Sequence, residues 1–426
     1  MIDTESPLTA LLARVLIALM AAWLVLIIIT VDREPQREAG PIWGDFPAFY
    51  AAGQTVATGS DSVELYDPDL QRSRQDHVIG SDSVFMPYAY PPQFAIAYVP
   101  FTHVPYRVSY LVNSALMLAA LAAALALIRP MAPIVGRYRW TSLAAATLFV
   151  PTTYALGAGQ NVTVSLLLLA WVWRSLHDDR EVGAGVAVAL LMFKPQYAVP
   201  MLGLLLVGRH FRAVGAAITG TAVIAMINTL VVGTSWLPDW LTTANRFVSV
   251  DLDRWGLYRL APLGFFRAVL GSESTLADVL GGAVIVGAAA ALIWLWWDHR
   301  TPLDLLMAVT SAGLLLTSLH GAFYEAGLAT LTVAVIVERD RSKTWLVPAM
   351  LAIGFSQYLS FDLGFSPLTP FVGALFVTAL ADALGARAAG GSDDGDQPTI
   401  GSPAAAHAAM PPSMSATSTK PRSLIN

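Results

Sequence analysis

The chain has 426 residues, of which 55% are hydrophobic and 13% charged, with a net charge of −5 and no cysteine. Soluble domains carry charge on roughly a quarter of their residues, so a single water-soluble core is excluded. The absence of a basic surplus argues against nucleic acid as a partner, and the absence of cysteine excludes disulfides, thiolate metal sites and a cysteine nucleophile.

An α-helix needs about 20 apolar residues to cross about 30 Å of hydrocarbon, and the sequence offers such runs repeatedly. Backbone groups in lipid must be satisfied within their own element, and no alternating barrel pattern is present. The expected fold class is therefore all-α: a polytopic integral membrane protein of about 11–12 membrane-crossing or broken helices.

The first apolar run, 8–31, contains only Arg14 as a charge and is followed by no small-residue cleavage pattern, so it reads as a retained anchor. The polar stretch 32–92 is too long for an ordinary connection and is expected to be functional. Within it, Trp43-Gly44-Asp45-Phe46-Pro47-Ala48-Phe49-Tyr50-Ala51-Ala52-Gly53 places Phe46, Phe49, Tyr50 and Gly53 on one face of a short helix, expected to lie on the membrane. Asp45 stands at its N-terminus, where free N–H groups and the helix dipole favour a carboxylate. It is there either as a cap or as a reactive group at the lipid boundary. Tyr66-Asp67-Pro68 gives a second helix start, with Asp67 as N-cap and Pro68 as first helical residue. In Tyr88-Ala89-Tyr90-Pro91-Pro92-Gln93-Phe94 the prolines force an extended entry and suggest a loop wall.

Further spans are predicted at roughly 106–128, 141–157, 161–173, 213–232, 278–297, 303–319, 322–337, 344–360 and 368–384. The turn Gly157-Ala158-Gly159-Gln160-Asn161 adds polar groups between two of them. Between 182 and 208, two short apolar pieces meet at Lys194-Pro195-Gln196 and read as a broken hairpin, a form tolerated at membrane depth only where it is buried in protein or lines a polar cavity. Burying Lys194 is costly unless it is paired, and an anionic ligand would supply the partner; a lysine snorkelling from a helix end is the plainer alternative. Ser318-Leu319-His320-Gly321-Ala322-Phe323-Tyr324-Glu325 forms a tight turn that carries a histidine and a carboxylate.

Lysine and arginine in short loops mark the cytoplasmic side. Arg129, Arg137, Arg139, Arg174, Arg180, Arg209, Arg212, Arg300, Arg339, Arg341 and Lys343 all fall on one side. Both termini are then cytoplasmic, and the loops 32–92 and 233–277 are outside, the second with Trp236, Trp240, Trp255 and Tyr258 as interfacial aromatics. A single membrane domain is expected over 1–387, followed by a disordered cytoplasmic tail over 388–426, which is rich in Gly, Ser, Pro and Ala. Asp251-Leu252-Asp253 spells a DxD metal motif, but no Rossmann-like strands surround it, and neither a metal nor a cofactor is expected. Walker, GxSxG and HExxH motifs are absent, which disfavours an ATPase, a serine hydrolase of that type and a zincin.

In chain order, Asp45-Phe46 through Gly53, Leu65-Tyr66-Asp67-Pro68, Tyr90-Pro91-Pro92-Gln93-Phe94, Gly159-Gln160-Asn161 and Lys194-Pro195-Gln196 resemble glycosyltransferase family 87. These are membrane enzymes of the glycosyltransferase C fold, typified by polyprenyl-phosphate-mannose-dependent mannosyltransferases, with arabinofuranosyltransferases as relatives. The similarity spans about residues 40–340. It implies inverting transfer, of mannose in the first place, from a polyprenyl-phosphate-linked sugar to a lipid or glycan acceptor at the outer face of the cell membrane. Asp45 would be the general base, Lys194 and His320 would meet the donor phosphate, and Tyr50, Tyr90, Gln160, Asn161, Tyr324 and Glu325 would surround the acceptor or sugar. The family's late motif falls on Ser318, His320, Tyr324 and Glu325, with glutamate where aspartate is usual. The lipid-linked sugar serves as co-substrate, so no nucleotide-binding domain is needed. A pentosyl donor is the alternative within the class. A transporter or flippase of lipid-linked substrates, which matched broken helices in two halves would favour, and a non-catalytic assembly protein are the alternatives outside it.

Overall fold

The computed structural model describes residues 7–33, 44–80, 85–254, 259–319 and 321–392. Among these the protein is helical nearly throughout, and one isolated antiparallel bridge, Arg259 with Ala322, is the nearest approach to a sheet. Five helices are long and apolar enough to cross a membrane: Ala10–Ile29, Tyr106–Leu127, Phe211–Val232, Thr275–Asp298 and Leu368–Ala389. Large apolar side chains cover their outward faces; Leu230, Val286 and Val377 are each more than 60% exposed. Such continuous apolar surface is stable against lipid and not against water. The chain is a polytopic all-α membrane protein.

The predicted spans 141–157 and 161–173 are not two straight crossings. The chain forms Arg139–Leu148, Val150–Ala158 and Val162–His177, the last two related by a bend of 117°. Gly159 makes the reversal with a left-handed backbone, φ 72°, a conformation that is costly for residues with a Cβ. The predicted broken hairpin is present. Glu181–Leu190 continues as a 3₁₀ turn, Leu191–Phe193, breaks at Lys194 and resumes as Pro195–Val207. Pro195 explains the break, since it has no N–H to donate and disfavours helical geometry at the residue before it. The hairpin is held closely to its neighbour, for a Cβ on Gly185 would lie 2.1 Å from the Ala213 carbonyl oxygen of the Phe211–Val232 helix.

Two further predicted spans, 322–337 and 344–360, are shortened by 3₁₀ turns over Phe323–Leu328, Arg341–Trp345 and Gln357–Leu359. The last helix, Leu368–Ser392, passes the predicted end at 384 and includes the first residues of the expected tail. The rest of that tail, 393–426, lies outside the described residues. The chain divides into two units, Met1–Arg387 and Ala388–Asn426, and everything below concerns the first.

The region between the first two long helices folds into the short helices Phe46–Ala57, Ser62–Leu65, Pro68–Ile79 and Pro92–Tyr98. The first of these does not lie on a surface as predicted; Phe46, Phe49, Tyr50, Ala51 and Ala52 are all buried. Aromatic rings enclose it, with Phe46 5.5 Å from Tyr110 and Phe49 5.0 Å from Phe94 between centroids. Its amphipathic face could not reveal this, because the opposite face, rich in alanine, is also covered.

In the second long loop, Trp236 and Trp240 begin a helix, Trp236–Arg254, and direct their ring N–H groups into the protein, to Thr229 Oγ1 at 3.0 Å and the Ala89 carbonyl at 3.1 Å. Leu237 and Leu241 form its exposed apolar face. Trp255 and Tyr258 lie outside the described residues.

Candidate active site around Asp45

Two glycine turns nest against each other. Gly44 has φ 37°, and a Cβ there would lie 2.3 Å from the Cβ of Ala158; a Cβ on Gly159 would lie 2.6 Å from that of Phe46. The Asp45 N–H donates to the Ala158 carbonyl at 3.0 Å. This close backbone approach sets Asp45 beside Gln160, 115 positions along the chain.

Asp45 does not cap its own helix through its side chain. Its Oδ2 accepts a hydrogen bond from Gln160 Nε2 instead. Two other aspartates of the same region do cap. Asp61 accepts from the Glu64 N–H at 3.0 Å, and Asp67 accepts from the Asp69 and Leu70 N–H groups at 2.8 and 3.0 Å. The cap explanation thus fits Asp61 and Asp67 and fails for Asp45.

Gln160, 2% exposed, also donates to the Tyr324 hydroxyl at 3.0 Å and accepts from the Tyr90 hydroxyl at 3.4 Å. Tyr90 is braced by Phe49 and Phe94, at 5.2 and 4.8 Å between centroids, and Phe94 in turn stacks on Phe193 of the hairpin at 5.1 Å. Tyr324 lies parallel to Tyr154, 6.1 Å away. Asn161 is fully buried next to Tyr90.

The hairpin break aims Lys194 inward, where its ammonium pairs with Glu325 Oε1; both side chains are at most 5% exposed. The negative partner expected from a ligand is thus supplied by the chain itself, from the Phe323–Leu328 turn. Neither snorkelling nor an open cationic site describes Lys194 in this structure. Lys194 and Tyr90 both feel the Asp45 carboxylate through space, and Tyr90 and the buried Tyr197 feel Glu325. Asp45, Tyr90, Gln160, Asn161, Lys194, Tyr324 and Glu325 therefore form one cluster.

Tyr50 does not join it. Its hydroxyl donates to the Val104 carbonyl at 3.4 Å, and its ring packs edge-on to Tyr106 at 5.1 Å. Ser318 is buried at the end of the preceding helix; His320 lies outside the described residues. Tyr154 and Tyr197 are contributors that the sequence motifs missed. Tyr197 follows Lys194 by three residues, in the first turn of the helix that resumes after the break, and this closeness to the break was the available signal. Among the described residues no group of three or more His, Asp or Glu side chains is arranged to hold a metal ion.

The model of glycosyltransferase family 87 matches residues 88–320, from the start of the Tyr-Pro-Pro segment to the turn that precedes Tyr324. Asp45 and Glu325 lie outside this stretch, whereas their partners Gln160 and Lys194 lie inside it. No curated protein and no solved structure matches the chain. With more than half of its length matched, the chain belongs to glycosyltransferase family 87, and it is a membrane glycosyltransferase.

Proposed function

We propose that the protein transfers a hexosyl group, mannose in the first place, from polyprenyl phosphate to a hydroxyl of a lipid or glycan acceptor, with inversion, at the outer face of the cell membrane. The observation that carries this reading is the Asp45 carboxylate, released from helix capping and held by Gln160 inside a cluster of polar groups. Asp45 accepts the acceptor's hydroxyl proton as that oxygen attacks the anomeric carbon. The bond from the anomeric carbon to the phosphate oxygen breaks on the opposite side, and its electron pair leaves with the polyprenyl phosphate. One displacement of this kind inverts the centre. The leaving group needs no proton, but its charge must be held.

Lys194 is the cation proposed for that task, and His320, which lies outside the described residues, is the second candidate by the family resemblance. An ammonium has three N–H donors, so a phosphate would share Lys194 with Glu325 or displace it. Tyr90, Asn161 and Tyr324 offer polar groups to sugar hydroxyls, and the stacked Tyr90, Phe94 and Phe193 rings offer an apolar wall.

The test is a reconstituted assay. Full-length protein in liposomes is offered short-chain polyprenyl-phosphate-mannose, polyprenyl-phosphate-arabinose or GDP-mannose together with a glycolipid acceptor, and the product anomer is read by NMR. Transfer from polyprenyl-phosphate-mannose with inversion is expected, with none from the nucleotide sugar. Product from the arabinosyl donor alone would move the protein to the pentosyl reading, and movement of donor across the bilayer without product to the transporter reading.

Sidedness has its own test. The chain contains no cysteine, so a single exposed Ser73→Cys reports cleanly. It is expected to react with a membrane-impermeant maleimide added to intact cells. Reaction only after lysis would place the 32–92 loop inside and overturn the outer-face assignment.

Gly159→Ala tests the nested turns. The new Cβ meets Phe46 in a backbone conformation that suits glycine. Because a misplacement of about 1 Å at a reacting group costs about 10²-fold, kcat is expected to fall by about that factor, with the thermal unfolding midpoint measured alongside to separate displacement from loss of fold.

A further inference from the structure

Gln160 is the group through which the site's elements meet, and the chemistry of its partners defines its role. A carboxylate only accepts hydrogen bonds, so the side-chain atom facing Asp45 Oδ2 must be the amide NH₂. Its second N–H goes to the Tyr324 hydroxyl at 3.0 Å. The amide oxygen accepts from the Tyr90 hydroxyl and from the Asn161 backbone N–H, both at 3.4 Å. An amide has two donors and two acceptor positions, and here all four are taken by protein on a side chain that is 2% exposed. No polar atom of Gln160 is left for a sugar hydroxyl.

We infer that Gln160 is a positioning residue that fixes the Asp45 carboxylate in its reactive orientation and favours its charged form, rather than a sugar-binding residue. This rests on the assignment of Asp45 as base. A donor aimed at a carboxylate stabilises the ionised state, which is the state that accepts a proton. Among the described residues, the charged and titratable groups that act on Asp45 from the surrounding elements include Lys194, Tyr90 and Tyr324, with Glu325 behind them. Gln160 bonds directly to both tyrosines. It thereby couples the base to the Tyr-Pro-Pro segment and to the turn that carries Glu325.

Two variants test the inference against Asp45→Asn as a reference. Gln160→Glu has nearly the same shape but turns an oxygen toward Asp45. Two facing carboxylates share a proton, so the acid limb of log kcat against pH is expected to move up by about one pH unit or more, with activity recovering as pH rises. Gln160→Leu fills the space without a donor; kcat is expected to fall by about 10²-fold, with the acceptor KM within about threefold of wild type.

A raised acceptor KM with an unchanged acid limb would mean that Gln160 binds sugar, and losses that only track the folded fraction would mean a packing role; either result overturns the inference. If Gln160→Glu does not fold, the kcat and KM split of Gln160→Leu decides. An inactive Asp45→Asn with an unshifted Gln160→Glu profile sinks the Gln160 inference alone, whereas an active Asp45→Asn sinks the base assignment and the inference with it.

Discussion

Asp45→Asn is expected to lower kcat by about 10²- to 10⁴-fold, the range for loss of a general acid or base, while leaving the fold intact. The substitution keeps the side chain's shape, and an asparagine oxygen can still accept from Gln160 Nε2, so the contact between the two glycine turns survives. What is lost is the proton acceptor. The measurement is the initial rate of transfer from polyprenyl-phosphate-mannose by purified protein, with thermal unfolding as control. A variant that retains a tenth or more of the wild-type rate would remove Asp45 from the mechanism. Asp45→Glu provides a second check: it keeps the charge but pushes the carboxylate one methylene further into a space bounded by the buried Gln160 side chain, and it too is expected to be slow. Together the two variants separate the need for a base from the need for its position.

The second large effect concerns the buried pair. Lys194→Met and Glu325→Leu each leave the other charge without its partner at a site at most 5% exposed, and breaking a buried pair in this way costs about 3–5 kcal/mol. The double variant, Lys194→Met with Glu325→Leu, is expected to recover most of the loss, because an apolar pair of similar volume is often as stable as the ions it replaces. A double-mutant cycle on unfolding midpoints in detergent reads the coupling. Single variants within about 1 kcal/mol of wild type would mean that the pair is not sealed as described. The transfer assay on the folded double variant then separates two roles. If Lys194 also holds the leaving phosphate, the double variant is stable and slow, with a raised donor KM; if the pair is only structural, it is stable and active.

The cost of exposing apolar surface and unpaired backbone groups to the wrong solvent made the membrane architecture readable from sequence. A run such as 213–232 has no stable alternative to a lipid-crossing helix, and the structure contains that helix as Phe211–Val232. The break at Lys194 was legible for an equally local reason, the missing N–H of Pro195. The break at Phe149, which divides the predicted span 141–157 into Arg139–Leu148 and Val150–Ala158, was not, because the hydropathy of two short helices is the same whether they run straight or bend. Nor was the burial of Tyr50 against Tyr106, since a helix face shows only that something covers it.

By itself, then, the sequence determined the solvent of this protein, its helical class, the break at Lys194 and the polar residues available there, because each follows from the local covalent chemistry of a short segment. Only the tertiary structure decided which polar residues meet. Asp45, Asp61 and Asp67 all stand at helix starts. Asp61 and Asp67 turn to the backbone, and Asp45 alone of the three is drawn to a glutamine 115 residues away. Lys194 likewise finds its counter-charge on Glu325, 131 residues distant. Side-chain hydrogen bonds and ion pairs act over a few ångströms, and which groups come within that reach is set by the packing of glycine turns and helices far apart in the chain.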